Sequence, residues 1–162
     1  MSEQFRIRKA EKNDISVVLG FIRELAVYEK LLDEVTASED ILRENIVEKK
    51  YAEVIFGELD SVPVGFALYF HNFSTFLGKP GIYLEDLYVR EEYRGRGFGK
   101  KLLAHLAGLA VERGCGRLEW SVLDWNKPAI DFYLSIGAKP MDDWTVFRLT
   151  GQKLKNLSLE LK

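Results

Sequence analysis

The sequence predicts an α/β fold: a mixed, mostly antiparallel central sheet with helices on both faces. Three observations carry this expectation. Strand-like and helix-like hydrophobic periods succeed each other as strand, two helices, three strands, helix, strand, helix, strand. Two β-branched and aromatic runs in the middle of the chain are separated by Asp60, Ser61 and Pro63, the signature of an antiparallel hairpin. A glycine-rich loop then delivers the third middle strand into a long amphipathic helix.

Taken in order, Phe5 and Ile7 alternate with Arg6 and Arg8 as a half-buried first strand would. Asn13 or Asp14 can cap the helix that follows, whose apolar stripe is Ile15, Val18, Leu19, Ile22, Leu25 and Ala26, running toward Tyr28. The segment KLLDEV reads as a mobile loop. Thr36 with Glu39, or Ser38 alone, can cap a shorter helix carrying Ile41, Leu42, Asn45 and Ile46. Tyr51 to Glu58 and Val64 to Phe70 form the hairpin, and Ile82 to Val89 the next strand. Leu102, Leu103, Leu106, Leu109 and Ala110 mark the long helix, which Gly114 and Gly116 stop. Leu118 to Val122 resumes a strand, Asn126 to Ile136 has the composition of a helix ending at Gly137, and Trp144 to Leu149 is expected as the last strand. Gln152 to Lys162 is compatible with either element.

Composition bounds the function. A chain of 162 residues with 47% hydrophobic content is expected to be one domain, 1–162, with a real core. A net charge of -2 from 23 basic and 25 acidic residues supplies no whole-chain field for nucleic acid or an anionic membrane. The single Cys115 excludes an intramolecular disulfide framework, and burial is its expected role. MSEQFRIRK has no apolar signal region, and no apolar run approaches the ~20 residues of a membrane span. A soluble, cytoplasmic protein is expected. His71 and His105 stand far apart and outside any ligand pattern, so no metal is expected.

The stretch Glu85 to Leu103, EDLYVREEYRGRGFGKKLL, organises the rest. Its strand, bend, glycine loop and helix opening bring backbone N–H groups without intrahelical partners to one point, where the helix dipole also favours an anion. Spacing separates the known phosphate loops. A Walker loop fails because Arg94 stands five before Gly99 and Lys101 follows Lys100, and the dinucleotide fingerprint fails because its third glycine would fall on Lys100. The pattern that fits is Arg/Gln-x-x-Gly-x-Gly/Ala, through Arg94, Gly97 and Gly99. An ordinary glycine turn opening a core helix is the alternative at this level.

That pattern resembles the acetyl-CoA loop of the GCN5-related N-acetyltransferase superfamily, whose element order covers nearly the whole chain. The stretch DWNKPAIDFYLSIGAK strengthens the resemblance: Asn126, Ala129, Phe132, Tyr133, Gly137 and Ala138 match the superfamily motif that follows its fifth strand. Within the superfamily the chain is most similar to the spermidine/spermine (diamine) acetyltransferases and their thialysine-acetylating relatives, through RELAVYEK, VGFALYF, YLEDLYVREEYRGRGFG and DWNKPAIDFY. The polyamine enzymes carry Asp-Pro-Trp where this chain has Ser74-Thr75-Phe76, which tilts the expected acceptor toward smaller, lysine-like amines.

The resemblance implies a cofactor, acetyl-CoA, held by Leu87, Tyr88 and Val89 along the pantetheine arm and by Arg94, Gly95, Arg96, Gly97, Phe98, Gly99 and Lys100 at the diphosphate. It also implies that Asn126 helps position the arm and that the Tyr133 hydroxyl lies near the thioester sulfur. Thioester aminolysis needs a neutral amine, an acyl carbon within attack distance, stabilised charge on the acyl oxygen and a proton for the departing thiolate. Tyr133, protonated at neutral pH, is the candidate general acid, and a backbone N–H near Leu87 the candidate polarising group. Glu85 and Asp86, with Glu29 as a weaker third, are candidates for binding the small cationic amine, and Glu85 for leading its proton away. As neighbours on a strand, Glu85 and Asp86 should face opposite sides unless a bulge intervenes. Arg90, Arg94, Arg96, Lys100 and Lys101 are interrupted by Glu91 and Glu92, and a diphosphate accounts for them better than nucleic acid does. Branch members are homodimers, so a homodimer is expected. Two other readings share the cofactor site: a non-catalytic acyl-CoA-binding module, against which Tyr133 speaks, and an acetyltransferase of protein N-termini or lysines.

Overall fold

Alternating apolar and basic residues along Phe5–Lys9 and the apolar, β-branched and aromatic runs within Glu53–Leu59, Val62–Ser74 and Lys79–Val89 build four strands, β1 to β4, and Leu118–Trp120 adds a short β5. These elements come from a computed structural model that describes residues 2–161. The strands form one sheet in sequence order, antiparallel from β1 to β4 and parallel between β4 and β5. Five α-helices accompany it: α1 (Ile15–Tyr28), α2 (Glu39–Leu42, continuing as a π-helix over Arg43–Glu48), α3 (Phe98–Glu112), α4 (Lys127–Ser135) and α5 (Gly151–Ser158). By internal packing, residues up to Leu123 form one compact unit and residues from Asp124 on a second.

Strand alternation sorts the core of the first unit into two layers. Val54 and Phe56 of β2 and Phe66 of β3 meet Val18 and Phe21 of α1, with Ile22, Leu42, Ile46, Leu68 and Tyr88 packed around them. Phe21 stacks on Phe66 with ring centroids 5.2 Å apart. On the opposite face, a Cβ at Gly57 would fall 2.8 Å from the Phe5 ring and 3.6 Å from Leu102, so that face packs against α3. Phe98, the first residue of α3, stacks flat on Phe5 at 4.3 Å. The glycine loop is thereby pinned to the sheet by a ring just after its last turn.

Local chemistry explains the helix ends. Ser38 accepts from the Ile41 amide at 3.2 Å and is the cap of α2, settling the choice with Thr36. The Asp14 carboxylate accepts the Glu11 amide (2.7 Å) and binds Arg8 (2.8 Å), whose guanidinium holds it below the usual carboxylate range. The segment expected as a mobile loop contains a 3-10 turn, Leu32–Glu34, closed by Glu34 N–H to Leu31 O at 2.9 Å.

One expected element is absent. Trp144 to Leu149 does not form a strand, and the sheet ends at β5. Aromatic and β-branched composition fits a pleated, half-buried surface, but a strand exists only where a neighbour completes its ladder. Among the described residues this segment joins none: Val146 and Phe147 stay 82% and 93% exposed, and the Trp144 amide turns back to Met141 O. The tail beyond it, undecided from sequence, is the helix α5.

Candidate active site

Gly95 and Gly97 take φ of +78° and +81°, which a side chain rarely tolerates, and Gly97 becomes the left-handed residue that starts α3. No side chain caps this helix start, and the first amide to bond back within the turn is that of Lys101, to Gly97 O at 3.0 Å. The amides of Phe98, Gly99 and Lys100 therefore offer donors with no intrahelical acceptor, and a Cβ at Gly95 or Gly97 would meet nothing within 4 Å. This is a cradle that fits a diphosphate. Side chains of the loop behave otherwise. Phe98 is buried against Phe5, and Arg96 lies over Phe98 while pairing with Glu3.

The strand leading into the loop is paired on both sides only in its first half. β5 accompanies β4 from Ile82 to Leu84 and then stops. Arg90 N–H bonds Val64 O of the β3 side at 2.9 Å, so by alternation the polar backbone groups of Leu87 and Val89 point to the other, unaccompanied edge. The Val89 carbonyl there accepts Arg94 Nε at 2.8 Å. An extended ligand arm can add to this edge as a strand would.

A bulge decides the question of Glu85 and Asp86. Leu68 pairs with Asp86, but Tyr69 pairs with Leu84, leaving Glu85 as the extra residue. Amide directions agree: Ile82 N–H points toward Arg117 O beside β5, whereas Arg90, an even number of residues on, points to β3. The bulge thus lets neighbouring carboxylates act on one place. Asp86, opposite Leu68 on the α1 face, is pushed up to about 7 by burial, then by Glu85 and Glu29. Glu29, the residue that ends α1, is raised by burial and by Glu85. Electrostatic coupling thus links all three carboxylates that the sequence singled out.

Two arginines missing from the acceptor half of that prediction hold α1 in place. Arg90 bonds Glu24 (3.1 Å) and Pro63 O (3.1 Å) and lies 4.7 Å from the Phe21 ring centroid. Arg94 lies 4.7 Å from the ring centroid of Tyr28 and 5.4 Å from that of Tyr88. Its side chain lies along these rings with Nε on the Val89 carbonyl. The signal available in sequence was the spacing of Phe21, Glu24 and Tyr28, one helix turn apart on α1, against Arg90 and Arg94 on the loop.

In the second unit Asn126 caps α4, accepting the Ala129 amide at 3.4 Å, with Pro128 in the first turn and Gly137 at φ +88° beyond the end. Asn126 is buried, and the Phe132 and Tyr133 rings lie 5.6 Å apart. Cys115, expected buried, is half-buried with its sulfur 4.0 Å from His71 Nδ1, because it sits in the turn after α3 rather than in a packed element. Among the described residues no cluster of His, Cys, Asp or Glu could hold a metal ion, and no helix is long and apolar enough to cross a membrane.

A loop shaped to accept an anion, an open strand edge and neighbouring carboxylates fit acyl transfer, and comparison with known sequences identifies the family. The sequence model of the acetyltransferase (GNAT) family matches residues 20–138. The chain belongs to this family. It is an N-acetyltransferase, and its family uses acetyl-CoA. It is 40% identical over 164 residues to a thialysine N-epsilon-acetyltransferase of Bos taurus, covering 94% of this chain and 96% of that one. With the spermidine/spermine N(1)-acetyltransferase-like protein 1 of Homo sapiens it shares 32% identity over 98% of its length, and spans 24% of that longer protein. The branch recognised from RELAVYEK and YLED is thereby borne out. An integron cassette protein from the mobile metagenome of V. cholerae has the same fold, with a TM-score of 0.80 at 29% identity over 96% of this chain and 98% of that one.

Proposed function

We propose that this N-acetyltransferase moves an acetyl group from acetyl-CoA to the primary amine of a small aliphatic cationic acceptor, a diamine, polyamine or lysine-like amino acid, by direct attack. The convergence of Glu29, Glu85 and Asp86 beside the open edge of β4 carries the reading. Burial and the charge of Glu85 raise the proton affinity of both Glu29 and Asp86, so the site gains from a bound cation. Bound acetyl-CoA supplies the activated acyl carbon. The amides of Phe98, Gly99 and Lys100 and the turn of Gly95 to Gly97 would bind its diphosphate, and the backbone of Leu87, Tyr88 and Val89 would align its arm, with a backbone N–H near Leu87 to polarise the acyl oxygen. Glu29 and Asp86 hold the ammonium, and Glu85 with Asp86 takes its proton and passes it to water. By the family resemblance, Tyr133 would give a proton to the departing sulfur, and Asn126 would orient the arm. The 40% identity to the Bos taurus thialysine enzyme, against 32% to the spermidine/spermine-like protein, supports a lysine-like acceptor over a polyamine. So does the solvent-facing Phe76, 98% exposed, in the segment that departs from Asp-Pro-Trp. We further infer that residues 1–162 act as one domain in a cytoplasmic homodimer. The family match, which continues past Leu123 to residue 138, supports the single domain, and the branch resemblance supports the dimer.

Free-thiol release across thialysine, ornithine, diaminopropane, spermidine and peptides tests the reading. Thialysine or another short aliphatic amine should lead, and Tyr133→Phe should lower turnover by ~10² to 10⁴ with acetyl-CoA affinity kept. Peptide N-termini as the best acceptors, or no release at all, would overturn it. Light scattering should give twice the chain mass of 18.6 kDa.

A further inference from the structure

The side chain of Arg94 is spent on α1 and β4, and this gives it a role that the loop motif does not assign. Its Nε holds the Val89 carbonyl at 2.8 Å, and its guanidinium faces Tyr28, the last residue of α1, and Tyr88 of β4. Tyr28 adjoins Glu29, one of the three acceptor carboxylates, while the backbone of Arg94 adjoins Gly95 and the cradle. One residue thus bridges the two halves of the site within the first unit. Arg90 fixes α1 one turn earlier, through Glu24 and Phe21, so the contact at Tyr28 sets only the terminal turn that carries Glu29.

We propose that Arg94 is a positioning residue that couples the cofactor loop to the acceptor carboxylates, acting through Tyr28 on Glu29. The inference rests on the acceptor reading above. A guanidinium between two rings and a carbonyl has one favoured orientation, so ligand that orders the 95–99 backbone also orders the end of α1. Coupling of this kind is reciprocal, and each ligand raises the affinity for the other by the same factor.

Calorimetry on the full chain measures that factor, with coenzyme A, which permits no turnover, and thialysine as probes. In the wild type, saturating coenzyme A should raise thialysine affinity at least 5-fold. Arg94→Lys keeps the charge but loses the planar stack, and should bring the factor within 2-fold of unity while coenzyme A affinity changes less than about 3-fold. Tyr28→Leu leaves Arg94 intact and should abolish the coupling equally, which keeps the proposal testable if the arginine variant folds poorly. A wild-type factor near unity, coupling that survives in either variant, or a loss of coenzyme A affinity beyond about 10-fold in Arg94→Lys would overturn the proposal. Wild-type thiol release with thialysine separates such a failure from failure of the acceptor reading itself.

Discussion

The two halves of β4 have the same backbone chemistry and opposite fates. From Ile82 to Leu84 the strand has β3 on one side and β5 on the other, and both Ile82 and Leu84 are fully buried. From Leu87 to Val89 only β3 remains as a ladder partner, and on the other edge Arg94 Nε takes the Val89 carbonyl. Between the halves stands the Glu85 bulge, which reverses which amides face which side. Complete pairing makes a strand part of the scaffold, whereas interrupted pairing makes it a binding surface. The carboxylates lie at the point of change.

The contrast is broken most severely where the open half runs into its loop. Gly97→Glu places a charge and a side chain at the cradle, so acetyl-CoA affinity measured by calorimetry should fall at least ~100-fold, the cost of one like charge at an anion site. Because φ is +81°, any side chain there also costs about 1–2 kcal/mol of stability. Gly97→Ala isolates that strain, since its Cβ would meet nothing within 4 Å. The alanine variant should lose stability while retaining most of its affinity. Equal affinity losses in the two variants would show that backbone geometry, not charge exclusion, makes the cradle.

At the bulge the effect is smaller and has two signs. Asp86→Asn removes a carboxylate that the cation needs, so kcat/KM for thialysine should drop by ~10 to 100-fold, mostly through KM. An acceptor of similar length without positive charge should lose less than threefold. The matching change in the paired half, Ile82→Ala, should cost about 2–5 kcal/mol of stability and leave kcat/KM per folded molecule unaltered. If Ile82→Ala also raised the amine KM, the two halves would not be separable.

How much of this was legible in the sequence follows from the range of the forces involved. The loop was readable because a positive φ and an uncapped helix start leave local marks, Gly95, Gly97 and the apolar stripe after them. Glu85, Asp86 and Glu29 were readable as acidic residues, but their meeting depends on one extra residue in β4 set against Leu68 and Tyr69, and no residue type announces a bulge. Arg94 is read as a phosphate residue because basic residues near glycines suit one, and its packing on nearby Tyr88 and on Tyr28, far away in sequence, has no local mark. The missing strand at Trp144 to Leu149 fails for the same reason: composition is local, and a ladder partner is not.

The subtlest way to sharpen the comparison is pH. Asp86 is raised from 3.8 to about 7 by burial and two neighbouring carboxylates, so between those values the native state holds a proton that the unfolded state has released. Stability must then fall as pH rises from about 4 to 7 and level off above, by on the order of 2–4 kcal/mol at most from this group. In a chain of this size that corresponds to roughly 5–15 °C in Tm. Other groups titrate too, so the quantity to measure is the difference between wild type and Asp86→Asn in thermal melts at pH 5 and pH 8. The variant should be the more stable of the two at pH 8, with its advantage shrinking toward pH 5. A bound cation favours the charged carboxylate, so thialysine should protect the wild type more at pH 8 and release a proton on binding near pH 7, read from calorimetry in buffers of different ionisation enthalpy. Wild type and variant with parallel pH profiles would mean that Asp86 carries its charge without strain, and that the bulge serves geometry alone.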